Sequence, residues 1–411
     1  MPKILDGVTV LDLTRFFSGP QATLFLAGMG AEVIKIDDPK GGDPTAFAPP
    51  YAGPEGVSFQ RQTDLDMGIA YMKRARGKKS ATLNLKSEQG RAIFLRMVEK
   101  ADVVVENFSA GVAARLGIDH ESLKAVNPRI ITCSLTGYGA TGPDKDLKAY
   151  DLMVQAAVGL MSITGHPGAP PVKTGSPLSD AIAGVFAASG IVAALLHRER
   201  SGEGQAVDIS MADCLFSLIF DEPLDCYGRL GLGFQQGSRI MRFSPFNVYP
   251  AADGWVTVGA ATHDDWLALL AVMEREDLIA AGGDMMQLAW RLGHNDQVDA
   301  IVQAWTCGLP MQQIVERLSA AKVPCSPVRT IDEVIAWEQL SHRGMVAPLW
   351  NPLAQRHMPV SAPGFPIKFG STPGGYDSPA PLPGAHNAEV LGRLAGLTSV
   401  QMEELRACGV I

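Results

Sequence analysis

The feature that most constrains this chain is the order strand, helix, strand in its first 36 residues. Val8 to Leu13 (VTVLDL) is rich in β-branched residues and predicts a strand. Gln21 to Met29 carries apolar residues at helical spacing. Glu32 to Ile36 (EVIKI), entered through Gly30, predicts a second strand. A strand, a crossover helix and a second strand at this spacing form a βαβ unit, which makes the two strands parallel.

The alternation continues. Ala81 to Leu85 predicts a strand, Ser87 caps a helix running to Lys100, and DVVVE at 102–106 predicts the next strand. Asp119 caps a short helix to Ala125, and RIITCSL at 129–135 predicts a fifth strand. The first 135 residues therefore read as a doubly wound α/β fold.

Tyr150 to Arg200 reads as helical and rich in Ala and Gly, followed by a strand at Ala206 to Ile209 and a helix at Ala212 to Ile219. The composition changes near Glu222. Beyond it, a strand at Gly254 to Val258 and helices bearing Trp266, Trp290 and Trp305 predict a smaller α+β domain. Residues 343–385 hold nine prolines and little periodicity, which predicts a surface strap between domains or subunits. A final helix is expected over Ala388 to Ala407. The expected division is 1–221 for the large domain, 222–330 for the small one, and 331–411 for the strap and closing helix.

The 411 residues carry a net charge of −8, with 46% hydrophobic and 19% charged residues, as a globular chain with a large core would. The acidic balance argues against nucleic acid as a partner. The amino terminus has no basic head before an apolar run, and no stretch of about 18 unbroken apolar residues occurs, so neither a signal peptide nor a membrane span is expected. Ala181 to Leu196 is apolar but short and Gly-interrupted, and reads as a buried helix. The six cysteines form no CxxC pair, which fits reduced thiols and a cytoplasmic location.

Several familiar site patterns fail. GYGATG at 137–142 matches GxGxxG, but Pro143, Asp144 and Lys145 follow where a helix should open, so a turn is expected. GxSxG, HExxH and the phosphate-loop pattern do not occur. Two features stay open on the residues alone. Lys73, Arg74, Arg76, Lys78, Lys79 and Lys86 gather before the Ser87 helix, as either a solvated run or a phosphate site. Asp180, the only acid between Asp151 and Glu199, opens an apolar helix, as either an N-cap or a functional carboxylate.

Seven segments in order carry a resemblance to a known family: LDGVTVLDLT, SGPQATLFLAGMGAEVIKID, GKKSATLNLKSEQG, ADVVVENFSAG, GYGATGP, SGEGQAVDISMAD and GAHNAEVLGRLAGL. Together they resemble the class III CoA-transferases, the family of formyl-CoA:oxalate and carnitine CoA-transferases. The resemblance implies a Rossmann-like large domain, a smaller α+β domain, and a homodimer of two interlocked chains. It implies CoA transfer from an acyl-CoA, such as succinyl-CoA or another dicarboxylyl-CoA, to a free carboxylic acid. The CoA thioester is then a substrate, and no cofactor is needed.

The resemblance places the nucleophile at Asp180. It puts Phe17 and Ser18 in a loop beside CoA, Leu83 to Lys86 beside the adenine and its phosphates, and Asn107, Phe108 and Arg115 among the CoA contacts. Lys148 and Tyr150 fall near the pantetheine and acyl end. The basic cluster thereby gains weight as a phosphate site. Arg15, Arg239 and Arg242 are candidates to pair with a distal carboxylate. Within the same family, 2-methylacyl-CoA racemases use a histidine where this chain reads Ala149-Tyr150-Asp151, and tyrosine with an ordinary pKa near 10 is a poor base at neutral pH.

Overall fold

A computed structural model describes residues 2–411, which divide into two units. The first comprises residues 2–158, Gly175–Glu222 and Trp337–Ile411, and the second Gly159–Thr174 and Pro223–Ala336.

The first unit is organised by six strands: β1 (Thr9–Asp12), β2 (Glu32–Asp37), β3 (Lys78–Thr82), β4 (Val103–Glu106), β5 (Ile131–Thr136) and β6 (Ala206–Ser210). They hydrogen-bond in the order β3-β2-β1-β4-β5-β6, and every pair is parallel. The strand order reverses between β1 and β4. In a sheet of this kind the loops leaving the two strands diverge there and open a crevice at their carboxyl ends.

Period-two alternation assigns the strand side chains to two cores. Leu11, Ile34 and Val104 face α3 (Glu88–Val98) and the closing helix α7 (Asn387–Ala395), packing with Phe94, Met97, Leu391 and Leu394. Val10, Val33, Val103 and Val105 face α1 (Ser18–Gly28) and α5 (Leu178–Ser201), packing with Ala22, Leu26, Ala187 and Ile191. Between these in sequence lie α2 (Ile69–Arg74) and α4 (Asp151–Ala157), and α6 (Met211–Ile219) follows β6.

Three expectations need correction. The third strand begins at Lys78, ahead of the expected Ala81, because Lys78 is itself a buried sheet residue whose charge is answered inside the fold. The closing helix is two helices. Gly396, at φ +67°, ends α7 in the left-handed region, and Thr398 and Gln401 form a capping box that starts α8 (Ser399–Ala407). Ala181 to Leu196 does lie in a helix, but only one face is buried. By length and composition alone this helix would be long and apolar enough to cross a membrane. It packs Ala183, Ala187, Ile191 and Ala194 into the core and exposes Val185, Phe186 and Leu196.

The Pro-rich stretch contains an antiparallel hairpin, Val346–Asn351 with Arg356–Pro363. GYGATG is followed by turns, with no helix before Asp151. Ser87 and Asp119 cap helices as expected, accepting from the amides of Gly90 and Ser122.

The second unit has a three-stranded antiparallel sheet of Phe246–Pro250, Trp255–Gly259 and Cys325–Pro327. Helices pack Trp266, Leu269, Val302, Ile314 and Leu318 against it.

Candidate active site

The site is built on the loop that leaves β1. Asp12, at the strand end, is fully buried. Its Oδ1 accepts from the Thr14 amide at 3.0 Å and the Thr14 hydroxyl at 2.5 Å. Its Oδ2 accepts from the Thr23 hydroxyl at 2.7 Å and from Lys78 Nζ at 3.0 Å. Lys78 also donates to the carbonyl of Pro20. One strand along, Lys35 Nζ donates to the Thr14 carbonyl at 2.8 Å and pairs with Asp37 and Asp43. Burial opposes ionisation of Asp12, but Lys78, Lys35 and the two hydroxyls outweigh it and hold its pKa below the usual value. Five buried charges thus brace one turn of backbone.

That turn leads into Arg15, Phe16, Phe17 and Ser18. Asn107, directly after β4, clamps Arg15 from across the strand reversal. Its Oδ1 accepts from the Arg15 amide at 2.9 Å and its Nδ2 donates to the Arg15 carbonyl at 2.8 Å. Phe16 sits at φ +70°. Gly19 follows because a Cβ there would lie 2.4 Å from the Thr14 side chain.

Ser18 opens α1 and is buried. Its hydroxyl and its amide both donate to the Asp180 carboxylate. Asp180 is the third residue of α5, not its N-cap, which is Pro177. The carboxylate therefore lies in the first turn of one helix and receives the first amide of another, two placements that favour an anion. Gly184, one turn along α5, permits this approach: a Cβ there would meet the Ser18 carbonyl at 2.9 Å and Gln21 at 3.0 Å.

Opposing forces set the acidity of Asp180. Burial raises its pKa most, Asp151 raises it further, and the Ser18 donors and Arg74 lower it, leaving it at about 6. Such a carboxylate is largely ionised at neutral pH and is poorly solvated.

A cavity of about 360 Å³ opens onto Asp180. Its walls include Phe17, Ser18, Asn107, Phe108, Lys148 and Tyr150, so these six of the residues expected at the site come together with Asp180. Tyr150 stands edge-on to Phe16 with ring centroids 6.5 Å apart. No histidine is among the residues that line this cavity. A neighbouring cavity of about 260 Å³ shares Phe108, Ser109, Ala110 and Thr136 with it and extends along β4, β5 and β6.

The remaining expected residues lie elsewhere. Leu83 is a core side chain beside Ile93 and Phe94. Lys86 and Arg115 are exposed and line neither cavity. The basic cluster is dispersed. Lys78 is the buried partner of Asp12, Lys79 pairs with Glu32 and Glu389, and Arg76 donates to the Pro363 carbonyl. Arg239 is likewise engaged, by Asp296 and Asp299 at 2.6 Å each.

Two participants were not legible as such. Asp151 is buried and faces Asp180 from α4. Its place directly after Tyr150 was the available signal. Arg74 stands at the end of α2, where the lysines around it made it look like one more member of a charge run.

Comparison with known proteins agrees with this architecture. The profile of CoA-transferase family III matches residues 5–387. The chain is similar to the succinate–glutarate CoA-transferase of Agrobacterium fabrum, at 34% identity over 95% of each chain. It is similar to the succinyl-CoA:mesaconate CoA-transferase of Haloarcula marismortui, at 36% identity over 94% of this chain and 95% of that one. Among solved structures, a CaiB/BaiF family protein from Brucella suis superposes with a TM-score of 0.81 at 28% identity, covering 96% of this chain and all of that one. The chain belongs to CoA-transferase family III and is a CoA-transferase.

Proposed function

We propose that this enzyme moves CoA from succinyl-CoA, or a similar dicarboxylyl-CoA, to a free dicarboxylic acid, with Asp180 as the covalent nucleophile. The observation that carries the assignment is a half-buried carboxylate lining a cavity, held by two Ser18 donors, with its pKa raised to about 6 by burial and Asp151. The dicarboxylate reading is supported by relatives named for succinate, glutarate and mesaconate.

The Asp180 carboxylate attacks the thioester carbonyl, and the tetrahedral oxyanion collapses to a mixed anhydride and CoA thiolate. The thiolate attacks the aspartyl carbonyl, giving an aspartyl-CoA thioester and releasing the donor acid. The acceptor carboxylate then attacks this thioester, forming a second anhydride and freeing the thiolate. The thiolate attacks the acceptor's acyl carbon, which yields the new acyl-CoA and restores Asp180. Each intermediate keeps an activated acyl bond, so the exchange requires no ATP and no cofactor. Poor solvation makes Asp180 a stronger nucleophile, and exclusion of water from the site would limit hydrolysis of the anhydride. Lys148 and Tyr150 would meet the pantetheine and acyl end of the donor, a reading supported by their position on the cavity wall.

Racemisation would need an acid/base group on each face of an α-carbon. The cavity walls offer Asp180, Lys145, Lys148 and Tyr150 but no imidazole. The test is CoA exchange from succinyl-CoA to a panel of mono- and dicarboxylates, followed by mass spectrometry of the thioesters. Exchange lost in Asp180→Ala supports the reading. Deuterium wash-in at the α-carbon of a 2-methylacyl-CoA, with no exchange to any acid, would refute it.

We further propose that the enzyme is an interlocked homodimer acting in the cytoplasm. Support comes from an apolar surface on α5, α6 and the C-cap of α6, where Val185, Phe186, Leu196, Phe216, Leu218 and Phe220 are exposed. Exposed apolar area of this kind usually marks an interface. Linked chains cannot separate without unfolding. Tagged and untagged dimers, mixed under native conditions, are therefore expected not to exchange subunits. Ready exchange would refute the interlocking, and a monomer in solution would refute the dimer.

A further inference from the structure

Phe16 is a bulky residue in the left-handed region, with half of its surface exposed. A backbone of this kind persists only where its surroundings hold it. The Asn107 clamp holds the Arg15 side of the loop. The other side is held by Arg74. Its Nη1 donates to the Phe16 carbonyl at 2.8 Å, and its guanidinium carbon lies 3.9 Å from the centre of the Phe17 ring. Arg74 is itself rooted, since α2 buries Tyr71 and Met72 in the core. The next residue after Phe17 is Ser18, which grips Asp180.

We propose that Arg74 is a positioning residue for CoA transfer: it fastens the Phe16–Ser18 loop so that both Ser18 donors stay on Asp180, and it sets a fixed positive charge beside that carboxylate. This role rests on Asp180 being the nucleophile.

Arginine suits the task where lysine would not. Its planar guanidinium can lie flat on an aromatic ring while one N–H reaches a carbonyl in the same plane. The groups that face Asp180 can be named. Asp151 approaches from α4, Ser18 from α1 and Arg74 from α2, while Lys145, Lys148 and Tyr150 stand on the cavity loop. Both lysines are exposed, so water and salt screen them. Arg74 is half-buried and fixed, and Asp180 and Asp43 are the acids whose fields act on it. It is the cation that counters Asp151.

The test compares Arg74→Met and Arg74→Lys with the unmodified enzyme. Formation of the aspartyl-CoA thioester on Asp180 is followed by mass spectrometry in single turnovers from pH 5 to 9. Arg74→Met is expected to move the acid limb up by roughly one pH unit and to slow acylation about tenfold or more at pH 7. KM for the acyl-CoA should stay within about twofold, because Arg74 acts through the loop and not on the substrate. Arg74→Lys keeps the charge and loses the ring contact. Its acid limb should stay near that of the unmodified enzyme, with a lower rate at every pH. Should Arg74→Met fail to fold, Arg74→Lys carries the test: a rate equal to the unmodified enzyme, or a loss confined to KM, overturns the proposal. An Arg74→Met enzyme that loses thermal stability but keeps its acid limb overturns it as well. Absence of any adduct on Asp180 in the unmodified enzyme would refute the nucleophile itself, and the role of Arg74 with it.

Discussion

Asp151 binds the residue next to Asp180, its Oδ1 accepting both the amide of Ser179 at 2.8 Å and the hydroxyl of Ser179 at 2.6 Å. The N-cap of α5 is Pro177, which offers no side-chain acceptor. Asp151 therefore caps that helix from α4 and places a second negative charge near Asp180. These two effects separate by substitution. Asp151→Asn keeps an acceptor for Ser179 and removes the charge. The acid limb of the pH–rate curve is then expected to fall by a fraction of a unit to about one unit, with little change in melting temperature. Asp151→Ala also removes the cap and should cost about 1–2 kcal/mol of stability. An unmoved acid limb in Asp151→Asn would show that its field does not reach Asp180.

Asp180 itself costs stability at neutral pH. Its folded-state pKa of about 6 lies above the ordinary 3.8, so folding favours the protonated form. The stability gained from protonation is full below about pH 4 and is lost as the pH rises through 6. Above that, the folded protein carries the cost of a poorly solvated anion. Asp180→Asn can still accept from Ser18 and carries no charge. It is expected to be inactive, and more stable than the parent at pH 8 by about 2 kcal/mol, a rise of a few degrees in melting temperature. At pH 4 the two melting temperatures should converge. A variant less stable than the parent at pH 8 would contradict this balance.

Lys78 was legible as a charge but not as a buried one. Lys78→Met leaves Asp12 without its ammonium inside the core, which should cost about 3–5 kcal/mol. Adding Asp12→Asn removes the stranded charge and should recover part of that loss. Purely additive losses in chemical denaturation would show that the pair is not coupled.

The sheet was readable because each strand carries its own signal. Val10 and Leu11, Val33 and Ile34, and Val103 to Val105 alternate between two apolar faces, and caps such as Ser87 and Asp119 mark helix starts. The start of β3 was hidden because Lys78 and Lys79 look like solvent-facing residues. What makes them sheet residues is Asp12, Glu32 and Glu389, all far away in sequence. Asp180, Tyr150 and Lys148 stood out through family resemblance, and the cavity brings them together. The parts of the site that tune Asp180 were not visible, since Asp151 and Arg74 act only through contacts that the fold creates. Gly184 illustrates the same limit: its need for a missing Cβ arises from α1, more than 150 residues earlier.

The most direct measurement is the fate of Asp180 during turnover. The enzyme is mixed with succinyl-CoA, quenched within a single turnover, digested and mapped by mass spectrometry. The peptide that holds Asp180 should gain the mass of CoA less one water, the adduct should discharge when a dicarboxylate is added before the quench, and Asp180→Ala should show neither adduct nor exchange. An adduct on another residue, or CoA exchange that survives in Asp180→Ala, would mean that the nucleophile lies elsewhere.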